Sequence, residues 1–552
     1  MEQFKKAHLG PARCAADLSV GSERGLYVDQ DTVLSRLHRP HRQINLMYCY
    51  YPNDEGWPLR ASVAFKKDNP GGAWVYPYDD YFPYGGGLNG SSEAEVFECM
   101  RDVRRHGQDV CLTLTMDPYL SDEHIIAVAR DMIPFGRVTV RINHEATGNW
   151  FSFNKRADYQ TVAAFFVRCC EIFHREAPNC KIVLCLDGCK SLSEEKMVME
   201  DIFTEAARAA DVVSVDRYMA LHWGYPADIC EDNRSAQRTP VSEIYALCKK
   251  SAERYSVMCD GIRKPMVLSE FNADGDVTGP YEQAQMVSEF YQMVKEDPEQ
   301  WLNGITMYQF RDDGRLGLEI TDPNQPQNGI EQPLLRTYRK LISEEPFAPV
   351  ITFGEEPVFG PQTLRYGGFE DADGLAVTIF LKQKPAFFEM WFDGELTDAN
   401  LMISVDGYWF YKKPGVRFVD LSNAFFDSDF TGGNVQVSFF APPASGQNDP
   451  EQGEGWQENY YYTINTLPRF RIRYGAILNE KGEAMFRITA NTTIGELLTN
   501  CPQAADILTG MGMHCIGCPS ARRETLEEAA EVHGMDAESL VEDLKGFLSE
   551  LE

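Results

Sequence analysis

Short apolar segments alternate with longer amphipathic stretches between residues 43 and 345. Segments rich in β-branched and aromatic residues predict strands at 44–51, 110–116, 137–143, 181–186, 212–218, 265–271 and 304–310. Helical patterns fill the gaps, such as 159–177, which ends just before Pro178. This alternation is typical of a parallel β/α fold. With 73–78 as the candidate for the second of eight strands, it predicts an α/β fold of the (β/α)8 (TIM) barrel type over 43–345.

The pattern changes after the predicted barrel. Short alternating segments at 375–381, 387–393 and 435–442 are separated by turn residues, and they predict a β-sandwich over 349–486. The acidic segment 487–552 has helical periodicity and predicts a small all-α domain. Residues 1–42 are interpreted as an N-terminal extension. A chain of 552 residues is long enough for several such domains.

Charge and cysteine content narrow the classes of partner. A formal charge of −31 argues against nucleic acid and anionic membranes, which bind through clustered Lys and Arg, although acidity can also serve solubility alone. No segment approaches the ~18 apolar residues that cross a bilayer, and the N-terminus has no signal-like apolar region. The fifteen cysteines are scattered, and Cys169, Cys170 and Cys185 lie in apolar stretches. These features predict a cytoplasmic protein.

Two glutamates lie where the barrel fold places catalytic groups, at the C-terminal ends of strands. Glu145 follows the fourth predicted strand and Glu270 ends the seventh, so they lie on opposite sides of the barrel mouth. Glycoside hydrolysis needs such a pair, one to protonate the leaving oxygen and one to attack the anomeric carbon. The retaining form requires carboxyl groups ~5–5.5 Å apart. The candidate substrate-binding residues around this pair are Asn143, His144, Trp150, Phe151, Asp216, Tyr218, Trp223, Tyr308, Gln309 and Arg311.

The strand-four segment RINHEATGNWF (141–151) resembles the His-Glu-x-x-Gly-x-Trp-Phe motif of glycoside hydrolase family 26. The segments VVSVDRY (212–218) and KPMVLSEF (264–271) are similar to the sixth and seventh strands of that family. The resemblance covers about 43–345 and implies a retaining β-glycosidase for mannan- or glucan-type carbohydrates, with no cofactor.

The same resemblance assigns roles to individual residues. It implies that Glu145 is the acid/base, that Glu270 is the nucleophile and that His144 contacts the sugar or the nucleophile. It further implies that Trp150 and Phe151 stack on sugar, with Tyr218 as a phenol near the nucleophile. The chain departs from the family pattern after Glu270, where Phe271-Asn272-Ala273 replaces the usual Phe/Trp-Gly.

Each of these residues also has a purely structural interpretation. A loop Glu is often a solvated charge or a helix cap, and the barrel could bind a carbohydrate without cleaving it. An aromatic cluster could line a sugar groove or form the core of a loop: Trp74, Tyr76, Tyr78, Tyr81, Phe82, Tyr84, Trp223 and Tyr225. Aromatic residues of the sandwich could likewise bind sugar or pack against the barrel, which we favour: Trp391, Phe392, Tyr408, Trp409, Phe410 and Tyr411.

The C-terminal segment carries TIGELL, GMHCIGC and ETLEEAA, and it resembles a domain found beside hybrid-cluster proteins, domain of unknown function 1858. Cys515 and Cys518 could form a redox-active disulfide at a helix start, which would imply a redox partner. They could instead be unreactive thiols, or bind zinc together with His514, Cys501 or His533. The alternatives to an enzyme are therefore a carbohydrate-binding protein on the barrel scaffold and a redox-responsive interaction protein in which the C-terminal domain dominates.

Overall fold

The computed structural model describes residues 3–21, 26–61, 81–221, 238–367, 369–426, 428–442, 460–474, 488–513 and 521–549. Within these ranges the chain forms a parallel barrel, a β-sandwich and a helical C-terminal domain, as predicted. None of the helices described is long and apolar enough to cross a membrane.

Eight parallel strands close into the barrel, and we number them one to eight along the chain. They are Ala15–Ser19, Gln43–Tyr50, Asp109–Met116, Val138–Ile142, Cys180–Leu186, Val212–Tyr218, Met266–Asn272 and Gly304–Met307. Strand one closes the barrel by pairing with strand eight through Ala15 and Gly304, and with strand two through Leu18 and Ile44. Most strand residues are buried, because helices cover the outer face and side chains fill the interior.

The first barrel strand differs from the sequence prediction. The barrel begins at Ala15–Ser19, inside the stretch interpreted as an extension, and not at residue 43. The segment predicted as the first strand is the second, and the candidate at 73–78 lies outside the described residues. Strand one is only five residues long and carries the buried polar residues Asp17 and Ser19, so its sequence lacks an apolar signature. Strands three to eight keep their predicted order.

Helices surround the barrel. They are Gln30–Leu37, Glu95–Arg105, Asp122–Met132, Ser152–Arg156, Tyr159–Glu176, Glu200–Ala209, Val241–Met258, Gly275–Thr278, Pro280–Glu296 and Pro333–Leu341, with 3-10 turns at Leu59–Ala61 and Ile133–Phe135. The helix Tyr159–Glu176 begins where Asp158 caps the backbone N–H of Thr161. Short strands at Phe82–Pro83, Arg311–Asp312, Glu319–Thr321 and Gly329–Glu331 complete this domain.

Two antiparallel sheets form the sandwich. The larger contains Lys5–Gly10, Val350–Pro357, Gln362–Tyr366, Ala372–Leu381, Leu401–Val405, Tyr408–Lys412, Gly433–Phe440 and Tyr460–Ile464. The smaller contains Pro385–Trp391, Phe418–Asp420 and Arg469–Tyr474, and 3-10 turns lie at Gly394–Thr397 and Ser422–Phe425. Leu375 and Val377 of the larger sheet share one core with Phe388 and Met390 of the smaller. The N-terminal strand Lys5–Gly10 therefore belongs to the sandwich.

Several of the sandwich aromatics pack within the protein. The ring of Tyr408 stacks on His38 at 4.3 Å, and Tyr411 lies 4.0 Å from His106, both residues of the barrel domain. Trp409 is buried. These contacts favour the interpretation that the sandwich supports the barrel.

The C-terminal domain has its own apolar core. Its helices are Ile494–Asn500, Ala504–Gly510, Leu526–Val532 and Ala537–Ser549, with a 3-10 turn at Ala521–Arg523. It contacts the smaller sheet of the sandwich, where the Arg523 guanidinium lies 3.5 Å from the ring centroid of Phe418. Gly495 lies directly against Phe387, and a Cβ at that position would collide with its ring.

Candidate active site

Arg141 lies at the centre of the site, fully buried on strand four. Its Nη1 donates to both carboxylate oxygens of Asp216, at 3.0 and 2.9 Å, and its Nη2 donates to Oε1 of Glu270 at 2.6 Å. A guanidinium stays charged in a protein interior, so Arg141 supplies the positive charge that these buried carboxylates require. It links strands four, six and seven below the barrel mouth.

Glu270 is positioned by a register irregularity in strand seven. The pairing with strand six shifts between Leu268 and Glu270, so both Ser269 and Glu270 reach partners of the polar site. The Tyr218 hydroxyl donates to Oε2 of Glu270 at 2.7 Å. Burial and the charge of Asp216 raise the pKa of Glu270 to about 7, although Arg141 and Tyr218 act to lower it.

Glu145 lies in the loop after strand four and is half-buried. Its φ is +50°, a left-handed conformation that is uncommon for residues other than glycine. Its Oε2 accepts a hydrogen bond from the Trp150 indole at 2.7 Å. Burial and the charges of Asp216 and Glu270 raise the pKa of Glu145 well above its usual range. The site thus holds one carboxyl group that keeps its proton beside one that ionises more readily.

His144 lies between Glu270 and the aromatic wall of the site. Its Nε2 is 3.0 Å from the Tyr81 hydroxyl and 3.8 Å from Oε1 of Glu270, and its ring packs on Phe151 at 4.5 Å. Burial and the Arg141 charge hold the pKa of His144 well below its usual value, so the imidazole is neutral. A neutral imidazole can donate one hydrogen bond at the site without adding charge.

Several predicted site residues come together around Glu270. The ring of Tyr308 meets that of Tyr218 edge-on at 5.9 Å, and Phe151 lies 6.2 Å from Trp150. The predicted residues linked here, either directly or through Arg141, are Glu145, Glu270, His144, Trp150, Phe151, Asp216, Tyr218 and Tyr308. Within this group, Asp216 is fully buried beneath Arg141 and also accepts from Ser269 at 2.7 Å. That position suits orientation of Arg141 rather than contact with a ligand.

Three other predicted residues form hydrogen bonds or ion pairs with further parts of the protein. The Asn143 amide bridges the backbone of Met116, with its Nδ2 3.2 Å from the carbonyl oxygen and its Oδ1 2.7 Å from the amide nitrogen. Arg311 pairs with Glu319 at 2.7 Å. The Gln309 amide donates to Asp312 at 3.2 Å.

Other predicted site residues fall outside the part of the chain that the structure describes. They are Trp223, Cys515 and Cys518, together with the aromatic candidates Trp74, Tyr76, Tyr78 and Tyr225.

Sequence reasoning did not identify Arg141 as a site residue, although the motif that carries Glu145 contains it. The sequence does contain a signal for it, because Arg141 lies inside the otherwise apolar strand VTVRI. Two other strands of the barrel carry acidic residues near their ends. A charge in a buried strand needs a partner, and Asp216 and Glu270 were the candidates.

A metal does not explain the cluster better than the arginine does. His144, Asp216 and Glu270 have potential ligand atoms within 4.8 Å of one another. Arg141 already donates to the carboxylates of both Asp216 and Glu270, so it occupies the position between them. The residues therefore fit an arginine-organised carboxylate pair.

The fold and site define a (β/α)8 barrel with paired glutamates at the mouth and a helical tail. Residues 488–541 match the model of a family described as Domain of unknown function (DUF1858), which confirms the resemblance of the tail. No curated protein matches the chain significantly.

The solved structures to which the chain is similar include glycoside hydrolases. One is a family 51 α-L-arabinofuranosidase from Bifidobacterium longum (9% identity, 79% of this chain, 97% of that one, TM-score 0.38). Another is a modular family 26 endo-β-1,4-mannanase from Cellulomonas fimi (11% identity, 82% and 94%, TM-score 0.38). A third is a family 26 β-mannanase from Bacteroides ovatus (12% identity, 60% and 89%, TM-score 0.36). Identities and TM-scores this low do not transfer an activity to this chain.

Proposed function

We propose that the barrel hydrolyses β-glycosidic bonds with retention, using Glu145 as acid/base and Glu270 as nucleophile. One observation carries the proposal. The carboxyl groups of Glu145 and Glu270 interact at the barrel mouth, and their different surroundings give them different pKa values. Arg141 and Tyr218 both donate to Glu270 and favour its charged form, whereas burial and neighbouring charges keep the proton on Glu145.

The reaction has two steps. A carboxylate oxygen of Glu270 attacks the anomeric carbon while Glu145 gives its proton to the departing glycosidic oxygen, which forms a glycosyl ester and releases the leaving group. Glu145, now a carboxylate, then takes a proton from water. The resulting oxygen nucleophile attacks the anomeric carbon, breaks the ester and frees Glu270.

The charge of Glu270 couples these two steps. That charge is among the causes that raise the pKa of Glu145. When the ester forms, Glu270 loses its charge and this contribution disappears, so the pKa of Glu145 falls. The change favours Glu145 as an acid in the first step and as a base in the second.

We propose β-linked mannan- or glucan-type saccharides as substrates. The resemblance of strand four to family 26 supports this class, and the half-buried rings of Phe151 and Trp150 supply faces for sugar C–H groups. The competing function is carbohydrate binding without cleavage, which would use the same surfaces.

Turnover separates the two functions. We expect wild type to hydrolyse aryl β-mannosides or β-glucosides, and Glu145→Ala and Glu270→Ala each to lower kcat/KM by at least ~100-fold. Azide should partly restore Glu270→Ala and yield the glycosyl azide of inverted configuration. Glu205→Ala, which removes an exposed carboxylate paired with Arg208, should leave activity unchanged. Glycan binding without turnover of any aryl β-mannoside or β-glucoside would assign the site to binding.

We further propose that the chain works in a reducing, cytoplasmic compartment. Cys169, Cys170 and Cys185 are buried thiols in the barrel domain, as their apolar context predicts. Burial raises the pKa of each of these thiols, which makes them poor nucleophiles. Cell fractionation tests this proposal, and recovery of the protein outside the cell membrane would contradict it.

A further inference from the structure

A chain of buried polar side chains crosses the barrel interior and ends at Arg141. The Asn45 amide nitrogen donates to the Ser19 hydroxyl at 2.8 Å. The Thr113 hydroxyl donates to the Asn45 carbonyl oxygen at 2.6 Å and accepts from Nε of Arg141 at 2.8 Å. Ser19, Asn45, Thr113 and Arg141 lie on strands one, two, three and four, and none is more than 2% exposed.

This arrangement fixes the orientation of the guanidinium. A guanidinium is planar, so a hydrogen bond from Nε determines the plane in which its two terminal nitrogens lie. In Arg141 one terminal nitrogen serves Asp216 and the other serves Glu270. Since Thr113 has only one hydrogen to donate, giving it to Asn45 leaves its lone pairs for Arg141.

We propose that Thr113 and Asn45 are positioning residues that hold Arg141 in the plane in which it favours the charged form of Glu270. The inference rests on the proposed function only because that function makes Glu270 the nucleophile. Neither residue touches the substrate or the reacting atoms. They act through Arg141, and their effect should appear as a change in the ionisation of Glu270.

The polarity of this layer supports the proposal. Barrel interiors are usually filled by Val, Ile and Leu, which pack without needing partners. Here three successive strands contribute polar side chains, and their hydrogen bonds lead to Arg141. Thr139 lies in the same interior but bonds to the Gln43 amide oxygen at 2.7 Å, away from Arg141. It is therefore a matched comparison for Thr113.

Thr113→Val tests the inference, with Thr139→Val as control and Thr113→Ser as the conservative variant. Both valine variants lose a buried bond from a hydroxyl to an amide oxygen. Only Thr113→Val also leaves Nε of Arg141 without its acceptor. We expect the acid limb of kcat/KM to move up by about half to one pH unit in Thr113→Val, and kcat/KM at neutral pH to fall several-fold. Thr113→Ser should restore both, and Thr139→Val should leave the pH profile unchanged.

A second readout does not depend on turnover. Isotope-edited infrared titration, taken as the difference from Glu270→Gln, measures the pKa of Glu270 directly. A raised pKa in Thr113→Val would support the positioning role even if no glycoside is hydrolysed, which would overturn only the proposed function. An unmoved Glu270 pKa in a folded, active Thr113→Val enzyme would overturn the inference. If Thr113→Val does not fold, Asn45→Ala tests the other positioning residue, because it removes the acceptor of the Thr113 hydroxyl, and an unmoved Glu270 pKa there would overturn the inference.

Discussion

Trp150→Phe removes one hydrogen bond from Glu145 and keeps an aromatic ring in its place. The indole nitrogen donates to Oε2 of Glu145 at 2.7 Å. Burial and nearby charges raise the pKa of Glu145, and this hydrogen bond opposes them because it favours the charged form. Without the bond, the pKa of Glu145 should rise further.

The size of the shift follows from the kind of bond. A hydrogen bond to a charged group contributes about 1.5–3 kcal/mol, and one pKa unit corresponds to about 1.4 kcal/mol. Trp150 and Glu145 are half-buried, so water can partly replace the lost donor and the lower end applies. We therefore expect a rise of about one unit in the pKa of Glu145.

The pH dependence of kcat/KM on aryl β-glycosides measures this shift. Catalysis needs Glu270 ionised and Glu145 protonated, so the acid limb reports Glu270 and the alkaline limb reports Glu145. Trp150→Phe should move the alkaline limb to higher pH by about one unit.

Trp391→Phe is the matched control for Trp150→Phe. In the sandwich, the Trp391 indole donates to Oε2 of Glu389 at 2.9 Å, so the same kind of bond is lost far from the barrel mouth. This variant should leave the profile unchanged. An alkaline limb that stays in place or moves down in Trp150→Phe would refute the role given to Glu145.

Two further substitutions test the site and the domain contact. Tyr218→Phe removes the hydroxyl that donates to Oε2 of Glu270, and this bond lowers the pKa of Glu270. The acid limb of kcat/KM should therefore move up from about 7, and a limb that moves down would contradict this. Gly495→Ala places a methyl group against Phe387 and should expose the C-terminal domain to limited proteolysis at a cost of about 1–3 kcal/mol. Gly510→Ala, where a Cβ meets nothing within 4 Å, should keep the wild-type pattern, and equal cleavage of both variants would refute the contact.

The barrel could be predicted because most of its strands have a recognisable sequence pattern. Segments such as 181–186 and 212–218 are apolar, short and bounded by helical patterns, and the structure has them at Cys180–Leu186 and Val212–Tyr218. Strand one could not be found this way. Its inward positions carry Asp17 and Ser19, whose partners Arg42 and Asn45 come from strand two or beside it and are visible only once the barrel has closed.

The positions of the two glutamates at strand ends could be predicted from the sequence. The buried contacts between them could not. Glu145 and Glu270 could be located because the fold places catalytic groups at strand ends. The contacts that position these two glutamates depend on which inward-facing side chains of different strands lie at the same level along the barrel axis. Asp216 looked like a ligand-binding residue from its position, but the structure places it under Arg141. The alternation of residues along a strand shows which side chains face inward. Their level along the barrel axis depends on the register between strands, which the sequence does not show.

The N-terminal strand has a consequence for how the chain is made. His8 in Lys5–Gly10 pairs with Thr352, 344 positions later. A ribosome adding about 5–20 residues per second needs on the order of 20–70 s to reach that partner. Throughout this time the strand Lys5–Gly10 has no sheet to join. The barrel therefore cannot be isolated by ending the chain after residue 345. Such a truncation leaves Lys5–Gly10 as an unpaired strand with both edges open to aggregation, so a soluble barrel fragment must also begin after Gly10.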